Sequence, residues 1–450
     1  MKLHRSLILH TIAASLALIL TVSTRAYASP QTAFPQEPAS AAAAKAQILQ
    51  INQILDPGKA RPNQGVMADG SDGLLTLLQK RALLLAQLIQ QAPDQVSQME
   101  LSPDAQTRVA SLGDLGHNLV ESRGTWQGRL ESIAIDDRDS GSNRTVHVVT
   151  GAFGALEVYF AGDVPTHAAG TAVTLTGLRL GQLAVATGWQ YDRAASASAD
   201  VNACTTTGEQ KVAVILVSFP GKALLSAITP AMMRETYFGA GRSLDTYLRE
   251  ISYGKTWVSG QVFGPVVLDG DYYGQPTAVR DAALRAASGL ADFSTFSRIA
   301  LVVPQASTGL SSGGLGTIGC STVPLANGSV VASTTWLGDV SLGSEALRVE
   351  TASHEMGHNF GLEHARAADF GSEAIGPVGQ LPAPWDQLRD YGDSFSNMGR
   401  DLGHWAAPHK TSLGWLNNGT EVLTVETNGR QTLRPYEDST TDLKAIRVRR

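Results

Sequence analysis

Three histidines and one glutamate stand closest to chemistry in this sequence. They lie in His354-Glu355-Met356-Gly357-His358-Asn359-Phe360-Gly361-Leu362-Glu363-His364. Positions i and i+4 share a helix face, so a helix through this stretch aims His354 and His358 at one point. Gly361 can end that helix in a left-handed turn, which returns His364 to the same point. Three neutral imidazoles around one divalent ion make a tetrahedral zinc site with a fourth corner open to water. Glu355, beside the first of them, is placed to take that water's proton. The chemistry expected is hydrolysis at a zinc ion. H-E-x-x-H alone arises by chance in roughly one chain of this size per hundred, and the added Gly and His multiply this by about one in 450. A structural zinc site, by contrast, normally closes with four protein ligands.

A helix must therefore carry the motif, and Gly343 to Thr351, with Leu347 and Val349 among good helix formers, predicts its entry. The domain around it spans residues 209–418. Lys211 to Phe219 opens it, with an apolar strand at Val212–Val217. Helices are predicted at Pro230–Phe238, Ser243–Ile251 and Val279–Leu290, and strands at Val262–Leu268, Ile299–Val303 and Ser329–Trp336. Residues 194–208, rich in Ala, Ser, Asn and Thr, read as a linker. Ahead of it, residues 29–115 read as a helical segment, with helices at Ala41–Leu55, Leu74–Gln91 and Pro103–Leu112. Residues 116–193 read as a small β barrel or sandwich with strands at Arg129–Ile133, Val146–Val149, Leu156–Phe160 and Ala172–Leu175. His147 and His167 within it have no partner pattern and are read as structural. After the central domain, residues 419–450 read as a β-rich C-terminal segment, a module either short or incomplete. Val422–Val425 and Thr432–Arg434 are predicted to flank a hairpin turn at Asn428-Gly429, and a further strand lies at Leu443–Val448.

The zinc stretch resembles the metzincin zinc metallopeptidases at every fixed position of their motif H-E-x-x-H-x-x-G-x-x-H. The resemblance implies an α+β zincin domain, a twisted mixed sheet with an active-site helix. It implies His354, His358 and His364 as ligands of one catalytic zinc ion, Glu355 as general base and protein or peptide as substrate. It also implies a methionine turn beneath the site, for which Ser396-Asn397-Met398-Gly399 supplies Met398. Arg400, two residues on, offers no fifth ligand. Within metzincins the chain looks most like the gametolysin-like peptidases, on Ser243-Leu244-Asp245-Thr246-Tyr247-Leu248-Arg249-Glu250-Ile251-Ser252-Tyr253-Gly254, the zinc motif, and Pro408-His409-Lys410 leading to Leu413-Gly414-Trp415-Leu416. That likeness covers about Lys211 to Leu416. His409 is read as a packed histidine. A substrate is expected to lie extended along the sheet, at Ser329–Trp336.

Residues 1–28 read as a secretory signal peptide: Lys2 and Arg5, an apolar run from Leu7 to Val22, then Ala26-Tyr27-Ala28 before Ser29. No later run is apolar enough to predict membrane insertion, so an extracellular product is expected. The 450 residues are 43% hydrophobic and 17% charged, enough for a sizeable core. A formal charge of −6 argues against nucleic acid as partner. Two cysteines, Cys204 and Cys320, are too few for a thiolate cluster. They can pair in a disulfide, the expected state for an exported chain, or Cys204 can cap the zinc of a zymogen whose leading region covers the cleft. Calcium is compatible with such a protein, but no residue pattern points to it. Two other readings compete: a non-catalytic adhesion protein that retains the metal helix, and a zinc amidase acting on cell-wall bonds. The first needs the three histidines but not Glu355.

Overall fold

The computed structural model describes residues 40–56, 71–110, 113, 119–136, 144–165, 170–191, 204–270, 272, 274–305, 313–368, 388–401 and 403–448. The signal peptide expected at 1–28 and most of the expected linker lie outside them. Among the described residues no helix is long and apolar enough to cross a membrane. The chain forms two compact units, Met1–Glu131, Val146–His167 and Thr171–Ser196 in one, and Ser132–Thr145, Ala168–Gly170 and Ala197–Arg450 in the other.

In the first unit, helix α1 (Ala41–Leu55) starts where the Ser40 side chain accepts from Ala43 N. Its buried stripe is Ala44, Ile48, Ile51 and Leu55, at helical spacing. Helix α2 (Ser71–Gln91) packs Leu74, Leu78, Leu85 and Leu88 into the same core. Within that core Arg81 is fully buried and makes a two-pronged ion pair with Glu121, at 2.6 and 2.8 Å, plus bonds to Asn52 and Met99 O. So enclosed a charge persists because its donors find acceptors. Helix α3 (Pro103–Ala110) follows, then strands β1 (Ser122–Ile135), β2 (Arg144–Gly151), β3 (Gly154–Phe160), β4 (Thr171–Leu180) and β5 (Leu183–Tyr191). They run in the order β2-β3-β5-β4-β1, and β1 pairs again with β2, closing a barrel. The helices share one core with Leu178, Leu180, Leu183 and Val185 of β4 and β5. Strand β5 escapes sequence reading because Leu183–Ala186 is buried without alternation.

The second unit is a layered α+β fold. Strand β6 (Gly208–Ser218) is central, followed by helices α4 (Pro230–Phe238) and α5 (Leu244–Ile251), strand β7 (Thr256–Val267), helix α6 (Pro276–Ala287) and strand β8 (Arg298–Val303). Then come β9 (Gly314–Thr317), β10 (Ser321–Leu325), β11 (Gly328–Gly338) and helix α7 (Glu345–Asn359), which holds the zinc motif. The sheet order is β9-β11-β8-β6-β7, parallel except where β9 runs antiparallel to β11. Val212, Val214, Leu216, Ala300, Val302 and Leu337 on one sheet face pack against Met233, Leu248 and Met356 of α4, α5 and α7. Trp336, on the opposite face from Leu337, donates to Pro276 O of α6.

Two sequence expectations are corrected here. Ser329–Trp336 is not a free edge: Ser333–Gly338 pair with β8 on one side, and Thr335–Leu337 pair with β9 on the other. Beyond it lies β9, whose Gly-rich run carries no strand pattern and whose other side pairs with the end of β1. The Asn428-Gly429 hairpin also does not form. Strand β14 (Val422–Val425) pairs in parallel with β15 (Ala445–Val448), while Thr432–Arg434 stay exposed and unpaired to any strand. Between α7 and β14 lie the two-residue strands β12 (Ala367–Ala368) and β13 (Leu388–Arg389), and helix α8 (Ala407–Ser412).

Candidate metal centre

Helix α7 begins at Ser344, whose side chain accepts from Leu347 N, and is buried from Thr351 to Asn359. At its end Gly361 takes φ +89°, and Leu362 N donates back to Gly357 O at 3.0 Å. This is the left-handed close that turns the chain and delivers His364. Asn359 bonds Thr317 O, Thr334 O and Ser333 Oγ, tying the helix end to β9 and β11. Beneath the helix, Met398 is fully buried: a methyl group on Gly357 would meet its sulfur at 2.2 Å. The stacked Trp405 and Trp415 rings, 5.1 Å apart, back this floor.

The structure brings His354, His358 and His364 together, with ring centroids 4.8 to 5.4 Å apart. Each ring is oriented through Nδ1. That of His354 faces Asn397 O, that of His358 lies 2.8 Å from Leu362 O, and that of His364 lies 2.9 Å from Asp390 Oδ2. Carbonyl and carboxylate oxygens only accept, so each Nδ1 is the donor; the Nε2 atoms of His354 and His358 are then left without a hydrogen-bond partner, while that of His364 bonds Asp136 Oδ1. All three Nε2 atoms point at one carboxylate, Asp136. Its Oδ2 is 3.2 Å from His354 Nε2 and 3.4 Å from His358 Nε2, and its Oδ1 is 2.9 Å from His364 Nε2.

Four acceptors facing one another repel unless a positive charge lies among them. His354 Nε2, His358 Nε2 and Asp136 Oδ2 are buried and have no hydrogen-bond partner. The four ligand atoms lie within 4.8 Å of one another. Tetrahedral bonds of 2.0–2.1 Å to zinc would space ligand atoms by roughly 3.4 Å, close to the Asp136 distances. The donor set fits a zinc ion. Without metal the field acts on protons instead. Burial would raise the Asp136 carboxyl, but His358 and His354 hold it well below the usual range. Burial lowers His354 to about 4, whereas Asp136 and Asp390 overcome burial at His364 and raise it to about 9.

Glu355 is buried beside His354 and lies against β9, where a methyl group on Gly314 would come within 2.6 Å of Glu355 Oε1. Tyr391, at φ +54°, stacks on His364 with centroids 4.0 Å apart. Cys204 and Cys320 form a disulfide, Cα atoms 6.1 Å apart. Cys204 therefore offers no thiolate to the histidines. His409 is partly buried, with Nδ1 lacking a hydrogen-bond partner. The Ser243–Gly254 stretch builds structure: Ser243 caps α5, and Asp245 accepts from Val258 N. Tyr253 bonds Tyr436 O and the buried Lys410.

The roles of Asp136, Asp390, Asn397 and Tyr391 were not legible in the sequence, although Asn397 stands in the expected methionine turn. Asp136 opens the run Asp136-Asp137-Arg138-Asp139, which reads as an ordinary turn after a strand. No curated protein matches this chain. Residues 286–365 match the family model for metallo-peptidase family M12B, reprolysin-like. The matched stretch runs from α6 through the three histidines, and together with the His/Asp cluster it supports a metallopeptidase that uses zinc.

Proposed function

We propose that the chain is a secreted zinc-dependent endopeptidase that hydrolyses peptide bonds of extracellular proteins, with Glu355 as general base. His354, His358 and His364 would hold the ion. Zinc bound there lowers the pKa of a coordinated water towards neutrality and polarises a carbonyl. Glu355 takes the proton released on attack and passes it to the leaving nitrogen, a role for which its place beside His354 and against β9 is suited. Asn397 O, Leu362 O and Asp390 keep the imidazoles in the tautomer that ligation needs. The observation that carries this reading is the convergence of three Nε2 atoms, two of them buried without a hydrogen-bond partner, next to a buried glutamate.

The narrower gametolysin-like placement rests on Ser243–Gly254 and Pro408–Leu416, and export rests on residues 1–28. Hydrolysis of casein and of peptide libraries, with and without chelator, tests the activity. It is measured on the full chain and on Asp136→Ala, each with and without Glu355→Ala. Hydrolysis that survives both chelation and Glu355→Ala would defeat the reading.

A further inference from the structure

We infer that Cys204–Cys320 is a thiol–disulfide exchange site and not a permanent staple: the buried guanidinium of Arg298 stands at both sulfurs, placed to hold the thiolate that an attacking dithiol releases. The inference does not depend on the metallopeptidase reading.

Three features carry it. The first is the cation. Arg298, at the start of β8, is fully buried, and its Nη1 lies 3.4 Å from Cys320 Sγ and 3.7 Å from Cys204 Sγ. Its hydrogen bonds go to neutral acceptors, Gln210 Oε1, Thr205 O, Ser333 Oγ and Asn359 O, at 2.8 to 3.0 Å. The Phe360 ring covers it at 4.8 Å. Arg81, equally buried in the first unit, has Glu121 as counter-ion, whereas no carboxylate among the described residues pairs with Arg298. Burial lowers Arg298 to about 9, so it keeps its charge at neutral pH. An enclosed cation without a counter-ion is costly, and a sulfur anion beside it supplies one. A neutral disulfide needs no such neighbour.

The second feature is access. Both cysteines are partly exposed, so a reagent reaches the bond although the guanidinium behind it is closed from water. The third is what the bond ties together. Cys204 opens the strap leading into β6, where Thr206 O accepts from Thr256 Oγ1 and Trp415 Nε1. Cys320 ends the turn after β9, in which Gly319 N donates to His358 O. Breaking the bond unties this turn, one support of the end of α7, from the start of β6.

In the first step a thiolate of the dithiol attacks Cys204 Sγ. The S–S bond breaks, its electron pair goes to Cys320 Sγ, and a mixed disulfide forms on Cys204. Cys320, the sulfur nearer Arg298, leaves as a thiolate paired with the guanidinium. The reagent's second thiol then gives its proton to solvent and attacks the reagent sulfur of the mixed disulfide. Cys204 is released and takes a proton from solvent. The protein gains two electrons, and the dithiol becomes a disulfide. Holding the Cys320 thiolate speeds its departure and shifts the equilibrium towards the reduced chain.

The test is a redox titration of the metal-free full chain in dithiothreitol buffers, with the reduced fraction counted by maleimide labelling and mass spectrometry. Wild type is compared with Arg298→Met and Arg298→Lys. The methionine variant should be at least about 10-fold harder to reduce, and lysine, which keeps the charge, should recover part of the difference. Equal equilibria in wild type and a folded methionine variant overturn the inference. If the buried position does not tolerate methionine, the Cys204→Ser chain decides. Iodoacetamide labelling against pH should show its Cys320 holding at least about 10-fold more thiolate at pH 7 than an ordinary thiol. A midpoint at or above the ordinary value of about 8.5 overturns the inference as well. Hydrogen exchange of residues 313–322 should rise when wild type is reduced, and no change there would overturn the link to α7.

Discussion

His364 Nδ1 sits 2.9 Å from Asp390 Oδ2, so the histidine beyond the helix is held by a carboxylate, whereas the two on the helix face backbone carbonyls. The difference follows from position. His354 and His358 are fixed by α7, but His364 lies on irregular chain after Gly361 and needs an outside anchor. Asp390 also accepts from Arg366, at 3.2 Å. Asp390→Ala should therefore weaken zinc binding by about 10- to 100-fold, the usual effect of removing such an outer partner. Competition against a chromophoric chelator measures this directly. Unchanged affinity would show that the stack of Tyr391 on His364 orients the ring without help.

Glu355 is expected to act on turnover and not on metal binding. In the Asp136→Ala chain, Glu355→Gln should lower kcat by about 10²- to 10⁴-fold, the range for a positioned proton carrier. Zinc content and KM should barely change, because the glutamate contributes no ligand atom to the cluster. Steady-state kinetics with metal analysis separates the two effects. Loss of zinc in Glu355→Gln would reassign the residue to the metal's support.

The first unit should lose stability in mild acid through His147. Burial lowers this imidazole to about 4 in the fold, against an ordinary value of 6.5. Its ring packs edge-on against Phe160, centroids 5.4 Å apart. The unfolded chain thus takes up the proton first. The contribution is complete above pH 6.5 and is lost as pH falls through 6.5 towards 4, about 1–3 kcal/mol in all. Thermal melts at pH 7.5 and 4.5 should show a smaller acid loss in His147→Phe than in wild type. Equal losses would move the acid sensitivity to other groups.

The local code of the helices was legible because caps and periodicity are written in adjacent residues. Ala41–Leu55 and Pro230–Phe238 coincide with their predicted spans, the first capped by Ser40 and the second by Thr229. The metal-facing histidines were legible for the same reason, since i, i+4 and a glycine stop are local geometry. What lay hidden was long-range. Asp136 is more than two hundred residues from the histidines it faces, and nothing near it in sequence signals an ion. Asp390 and Asn397 take their roles from the fold of the chain that returns beneath α7. Strand β9 was missed because its pattern answers to the helix packed on it. Gly313-Gly314-Leu315-Gly316 lacks side chains where α7 needs space, and so lacks the alternation that marks a strand.

That last relation makes Gly316 a sharp probe of the packing. A methyl group there would come within 2.7 Å of Glu355 O and 2.9 Å of His358 Cβ. Both neighbours belong to the backbone or stem of a buried helix, so neither can swing aside as a side-chain tip could. Gly316→Ala must push α7 from β9 or distort the strand, and overpacking of this kind costs about 1–3 kcal/mol. Because His358 moves with the helix while His364 is anchored through Asp390, the shift should also spread the three ligands. Zinc affinity is therefore expected to fall along with the melting temperature. In Gly328→Ala, at a turn where added atoms meet nothing, strain comes only from φ +136° and the zinc affinity should hold. A Gly316→Ala chain that melts lower yet binds zinc as tightly as wild type would mean that the helix and His364 shift as one body.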